Sequence, residues 1–141
     1  MKDANCMYCV ENQTLRDLMI EVTKVGPYTL YLHRNQSYPG RCILAYKDHV
    51  RCVDEMNSED CQEYFAAVQK VAAAIKKVFA PHQINLATFG DLAGHVHCHL
   101  VPKYEGGLDF GGMFQMNPEP GEYLSEQEYA DRIEKLRAAL A

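Results

Sequence analysis

His95-Val96-His97-Cys98-His99-Leu100-Val101-Pro102 sets three histidines in alternation with apolar residues. Alternation with period 2 is the pattern of a β-strand whose faces meet different surroundings. The run predicts a strand that turns His95, His97 and His99 to one side and Val96, Cys98 and Leu100 into a core. Half of the chain's six histidines fall in these five positions. Imidazole titrates near neutral pH, binds transition metals and acts as a nucleophile, so a row of three on one face points to chemistry rather than packing. The residues alone leave three options: polar strand residues facing solvent; a hydrolase in which His95, His97 and His99 ligate a metal directly; or covalent catalysis, with the middle imidazole of His97 attacking phosphorus.

The neighbours of this run set the fold. Ile84–Phe89 alternates and reads as a strand, joined to the histidines by the loop Gly90-Asp91-Leu92-Ala93-Gly94. Further upstream, Leu18–Thr23 reads as a strand (Asp17–Glu21 also fits a helix), followed by Tyr28–His33 after the Gly26-Pro27 breaker and by the apolar run Cys42–Tyr46. A long helix starts at a cap on Asn57 or Ser58, carries Cys61, Phe65, Val68, Ala72, Ile75 and Phe79 as one apolar stripe, and ends at Pro81. Glu105–Gly121 is glycine-rich and irregular. Ser125-Glu126-Gln127-Glu128 is a capping box that opens a last helix bearing Tyr129, Ile133, Leu136 and Leu140. Consecutive strands with segregated helices predict an α+β fold: a five-stranded antiparallel sheet with one long helix and a C-terminal helix, in a single domain over residues 1–141. The open sheet edges suit cover by a partner subunit.

Of the 141 residues, 48% are apolar and 23% charged, values of a globular chain, and the net charge of −5 argues against nucleic-acid or anionic-membrane partners. Met1–Asn5 lacks the apolar core of a signal peptide, and no run approaches a membrane span, which predicts a cytoplasmic protein. Six cysteines then read as thiols or metal ligands. Cys6-Met7-Tyr8-Cys9 is half of a zinc site or a redox pair; a redox pair normally follows a strand, which nothing upstream supplies. Cys42, Cys52, Cys61 and Cys98 lie on apolar faces or in turns, and core packing suits most of them.

The run His95–Val101 resembles the signature of the histidine triad (HIT) superfamily. The resemblance extends to Pro39-Gly40-Arg41-Cys42-Ile43-Leu44-Ala45, to Lys47-Asp48-His49, and to the order of helix, strand and Pro102-Lys103-Tyr104 exit, roughly residues 6 to 112. It implies a HIT-like fold and a nucleotide-binding homodimer acting at the α-phosphorus of a nucleoside phosphoramidate or dinucleoside polyphosphate, with a purine nucleotide as substrate. His97 would be the nucleophile, forming a nucleotidyl-histidine, and His99 would assist it. The resemblance to zinc-containing bacterial members implies structural zinc on Cys6, Cys9, His49 and His95. Three departures stand out. Arg41 replaces a family histidine and suits a phosphate contact. His33 stands where relatives often set an Asp or Asn against the ribose. The loop Gly90–Gly94 lacks the family's glutamine and hydroxyl, which favours an alternative: a zinc-stabilised nucleotide-binding module with little turnover. Lys103 suits neutralisation of phosphate, and the aromatic loop Tyr104–Phe114 suits cover over a nucleotide or a dimer interface.

Overall fold

The structure, a computed structural model, describes residues 2–141. Two short helices, α1 (Met7–Val10) and α2 (Gln13–Leu18), lead into strands β1 (Met19–Val25), β2 (Tyr28–His33) and β3 (Cys42–Ala45). A single 3-10 turn, Val53–Glu55, precedes helix α3 (Ser58–Phe79). Strands β4 (Gln83–Ala87) and β5 (His97–Lys103) and helix α4 (Glu126–Leu140) follow. The sheet is antiparallel throughout in the order β1-β2-β3-β5-β4, which bears out the α+β expectation and makes the histidine strand an interior one.

Each face of the sheet has its own cover. Leu30, Leu32, Leu44, Cys98 and Leu100 form one core with Tyr64, Val68, Val71 and Ile75 of α3 and with Ile133, Leu136 and Leu140 of α4. The Tyr64 hydroxyl donates to the Leu44 carbonyl at 2.6 Å, tying α3 to the sheet centre. On the opposite face Met19, Tyr31, Ile43 and Ala45 pack with Tyr8 and Leu15 from the N-terminal helices. The alternation in β5 falls as expected, with Val96, Cys98 and Leu100 toward the helices and the histidines toward the other side. Among the described residues no helix is long and apolar enough to cross a membrane.

The ends of the helices follow local chemistry. The Asn57 side chain accepts from the Asp60 N–H, Ser125 and Glu128 form the full capping box, and Ala80 closes α3 in the left-handed conformation just before Pro81. Four expectations need correction. The buried stripe of α3 is Tyr64, Val68, Val71 and Ile75, which keeps Val68 and Ile75 of the expected stripe but is turned about 50° from it, and Phe65 is 38% exposed. Leu18 ends α2 and β1 runs on to Val25, because Asn12 caps a turn of helix first. β4 stops at Ala87, so Thr88 and Phe89 leave the ladder. The ladder of β5 opens at His97, with Val96 bonded instead to Val50 and Tyr46.

Gly40 sits at φ +93°, and a Cβ there would lie 2.7 Å from the ring of Phe79. Gly40→Ala combines backbone strain with a clash at the end of α3, and is expected to lower stability by about 2 kcal/mol or more, read from urea unfolding.

Candidate active site and metal centre

Bonded on both edges, β5 holds its residues in fixed register: His97 stands opposite Ala45 of β3, and His99 lies between Ile43 of β3 and Ala87 of β4. His97 and His99 open onto a cavity of about 410 Å³, whose other walls include His33, Tyr8, Phe89 and Met116.

The hydrogen bonds assign the imidazole protons. His97 Nδ1 lies 2.6 Å from the His95 carbonyl oxygen, which can only accept, so the proton is on Nδ1 and Nε2 keeps its lone pair. His99 Nδ1 lies 3.4 Å from Arg41 Nη2, which can only donate, so His99 carries its proton on Nε2. His33 donates from Nδ1 to the Asn35 carbonyl at 3.1 Å. Burial holds all three below the usual imidazole range. For His97 it outweighs the bond to the His95 carbonyl. His99 is brought down to about 3 by burial, with the Arg41 charge second, and His33 to about 4 by the same two causes. At neutral pH the cavity therefore holds uncharged imidazoles: a lone pair on His97 Nε2 and a donor on His99. The Tyr8 ring stacks on His97 with centroids 4.8 Å apart and planes at 27°, and fixes the plane of the ring. Phe89 and Phe114 close around His99.

A second constellation lies beside the first. Ligand atoms of Cys6, Cys9, His49 and His95 all fall within 4.8 Å of one another. His95 Nδ1 is 3.5 Å from both Cys6 Sγ and Cys9 Sγ, and His49 Nδ1 is 3.4 Å from Cys9 Sγ. Tetrahedral zinc, at roughly 2.3 Å from sulfur and 2.0–2.1 Å from nitrogen, separates S from N by roughly 3.5 Å, so the four residues fit such an ion. His95 donates Nε2–H to the Tyr46 carbonyl at 2.8 Å, which leaves Nδ1 free to ligate. Asp3 approaches the far nitrogen of His49 at 3.6 Å. Cys6 caps α1, whose first turn brings Cys9 back beside it. His97 and His99 do not join this cluster, which argues against a metal held jointly by His95, His97 and His99.

Two expected substrate contacts stand elsewhere. Arg41, expected as a phosphate contact, is 0% exposed and does not line the cavity; its Nη2 lies 3.4 Å from His99 Nδ1. Lys103 is buried at the far end of β5. Its ammonium donates to the carbonyls of Asp109 and Gly112 at 2.6 and 2.7 Å, where it pins the exit loop rather than facing the cavity. His33 does line the cavity. The sequence reading gave no site role to Tyr8 or Met116. Tyr8 had a signal, its place inside the C-x-x-C; Met116 lies in an irregular stretch with none.

The HIT domain family profile matches residues 21–106. The chain belongs to the HIT domain family. It is 31% identical over 114 residues to Protein hit of Bacillus subtilis (strain 168), covering 77% of this chain and 79% of that one. It is 30% identical over 78 residues to an AP-4-A phosphorylase of Mycobacterium tuberculosis, covering 51% of this chain and 40% of the other. A histidine triad protein of Sinorhizobium meliloti 1021 superposes with a TM-score of 0.83 at 21% identity, over 92% and 95% of the two chains. A Zn-bound histidine triad family protein of Mycobacterium smegmatis does so at 0.67 and 18%, over 96% and 93%. These likenesses establish the HIT fold.

His33 also makes this HIT protein's stability depend on pH. The unfolded chain takes up a proton on His33 near pH 6.5, whereas the folded protein resists until about pH 4, so this stabilisation is complete above 6.5 and is lost as pH falls through that window. Between pH 7.5 and 5.0, His33→Gln is expected to lose about 1–2 kcal/mol less than the parent in urea unfolding.

Proposed function

We propose that this HIT protein is a nucleotide hydrolase or transferase that acts at the α-phosphorus of a nucleoside phosphoramidate or dinucleoside polyphosphate through a nucleotidyl-histidine. The observation that carries the reading is the pairing of proton positions: His97 offers a lone pair on Nε2, and His99, its neighbour on the same face, offers Nε2–H. Nε2 of His97 attacks phosphorus, the bond to the leaving amine or phosphate breaks, and the leaving group departs with its electron pair and takes up a proton from solvent, which the attacking water later returns. The His97 ring is then cationic, and the His95 carbonyl, accepting from Nδ1–H, stabilises that charge. Water displaces the nucleotide from Nε2 and restores neutral His97. His99 Nε2–H binds a phosphoryl oxygen, on which charge accumulates. The cavity walls of Tyr8, Met19, Ile43 and Phe89 suit a purine, and His33 suits the sugar. The AP-4-A phosphorylase among the relatives supports a nucleotide substrate.

Cys6, Cys9, His49 and His95 would hold zinc as a closed tetrahedral site, which supplies folding stability and leaves no position for a substrate. The Zn-bound HIT neighbour supports this assignment. A homodimer fits the unpaired outer edge of β4 and the exposed Leu86, Phe89 and Leu92 near it, and a reducing cytoplasm fits the Cys6 and Cys9 thiols. The binding-module alternative rests on the loop before the triad, which brings Asp91, Leu92 and Ala93 to the cavity and no amide or hydroxyl side chain.

Brief incubation with an adenosine phosphoramidate, quenched in base, is expected to give an AMP adduct in intact-protein mass spectrometry that is absent from His97→Ala. Nucleotide binding with neither adduct nor turnover would establish the binding module. Elemental analysis is expected to find one zinc per chain, lost in Cys9→Ser, and chelation to lower the Tm; metal-free protein of unchanged Tm would refute the structural zinc.

A further inference from the structure

Arg41 heads the fully buried side chains by size, yet no carboxylate pairs with it among the described residues. Burying a guanidinium without a counter-ion is costly, and burial alone brings Arg41 down to about 10, where it is still charged at neutral pH. Its neighbours are backbone and rings. Nη1 donates to the carbonyls of Gln115 and Met116 at 3.3 and 2.9 Å, Nη2 faces Met116 Sδ at 3.5 Å and His99 Nδ1 at 3.4 Å, and Nε has no hydrogen-bond partner among the described residues. The guanidinium carbon lies 5.2 Å from the centre of the Phe114 ring and 6.0 Å from that of Tyr38.

The carbonyl partners belong to a strap, residues 113–118, that sets Phe114 beside His99 and puts Met116 and Asn117 into the cavity wall. The strap is anchored on both sides of Arg41: the Gln115 N–H donates to the Tyr38 hydroxyl at 2.7 Å, and Asn35 Nδ2 donates to the Pro118 carbonyl at 3.2 Å. Arg41 thus touches the strap with one nitrogen and His99 with another, and touches the cavity with neither.

We infer that Arg41 is a positioning residue that acts through His99, its Nη2–H fixing His99 as the tautomer protonated on Nε2 while the closed strap holds the guanidinium in place. A guanidinium has no lone pair to accept with, so the ring nitrogen that meets it must be unprotonated. Without that constraint the imidazole is free to place its proton on Nδ1, and two lone pairs, from His97 and His99, would then face the same anionic phosphate. Arg41 therefore sets which of two adjacent imidazoles attacks and which donates. Its kinetic consequence rests on the nucleotidyl-transfer reading; the tautomer itself does not.

The test separates these. In protein labelled with 15N-histidine, two-dimensional 15N–1H NMR is expected to show His99 with a bare Nδ1 and a protonated Nε2. Arg41→Met keeps the unbranched apolar stem of the side chain without its charge or donors, and is expected to keep the fold while His99 shifts toward the Nδ1-protonated form or an average of the two. Arg41→Lys keeps a donor and is expected to restore the parent pattern. With an adenosine phosphoramidate, Arg41→Met is expected to lose at least about tenfold in kcat with KM changed less than about threefold. A parent protein in which His99 is protonated on Nδ1 overturns the inference even where Arg41→Met does not fold. So does an Arg41→Met protein with an unchanged His99 pattern and a raised KM, the signature of a direct phosphate clamp. Should no form turn over, the enzymatic reading fails and the 15N pattern still decides the role of Arg41.

Discussion

β5 is hydrogen-bonded to β3 on one edge and to β4 on the other, and the remainder of the site depends on that double pairing. An interior strand has no freedom to slip, since a shift of one residue would turn His97 and His99 into the helix-side core and Cys98 out of it. With the register fixed, main-chain oxygens become reliable proton acceptors: the His95 carbonyl for His97, the Tyr46 carbonyl for His95. The tautomers of His95 and His97 come from these main-chain acceptors, whereas that of His99 is set by a side chain, Arg41. Among the described residues no carboxylate is paired with His97 or His99.

The same face of the sheet carries the metal cluster, and Tyr8 joins the two. It lies between Cys6 and Cys9 and stacks on His97, with His95 5.4 Å away. The N-terminal turn therefore lines the cavity and also brings Cys6 and Cys9 to the cluster with His49 and His95. Order in that turn and order in the His97 ring are one packing problem, with Tyr8, Tyr31 and Leu15 sharing the small second core.

Much of this was legible in the sequence. Alternation over 95–101 gave the strand, its faces and the residues turned to the cavity: both faces of β5 are buried, but one meets an apolar core and the other the cavity, so the side chains alternate in kind. The capping box at Ser125 and the stop at Pro81 were legible because they are satisfied locally. The stripe of α3 was not. Apolar residues lie on adjoining rows of that helix, Phe65 beside Tyr64 and Ala72 beside Val71, so periodicity admits two overlapping faces about 50° apart, sharing Val68 and Ile75, and only the sheet selects one. The four metal-site residues were named through resemblance to the HIT family, since C-x-x-C alone does not say which histidines complete it. The place of Arg41 was illegible for a different reason. Its acceptors are carbonyls of Gln115 and Met116, more than seventy residues away in an irregular stretch, and a carbonyl leaves no trace in the choice of amino acid.

His95 belongs to both constellations through different atoms. Its imidazole faces the thiols; its carbonyl oxygen receives the proton of His97. A side chain can be exchanged by a point mutation and a main-chain oxygen cannot. Position 95 can drift to another residue, and the Cys2His2 cluster can be lost with it, while the atom that orients His97 stays where the sheet puts it. The two properties are therefore unequally exposed to evolutionary change: membership of the cluster is written in a replaceable side chain, and proton placement on His97 in the peptide backbone itself.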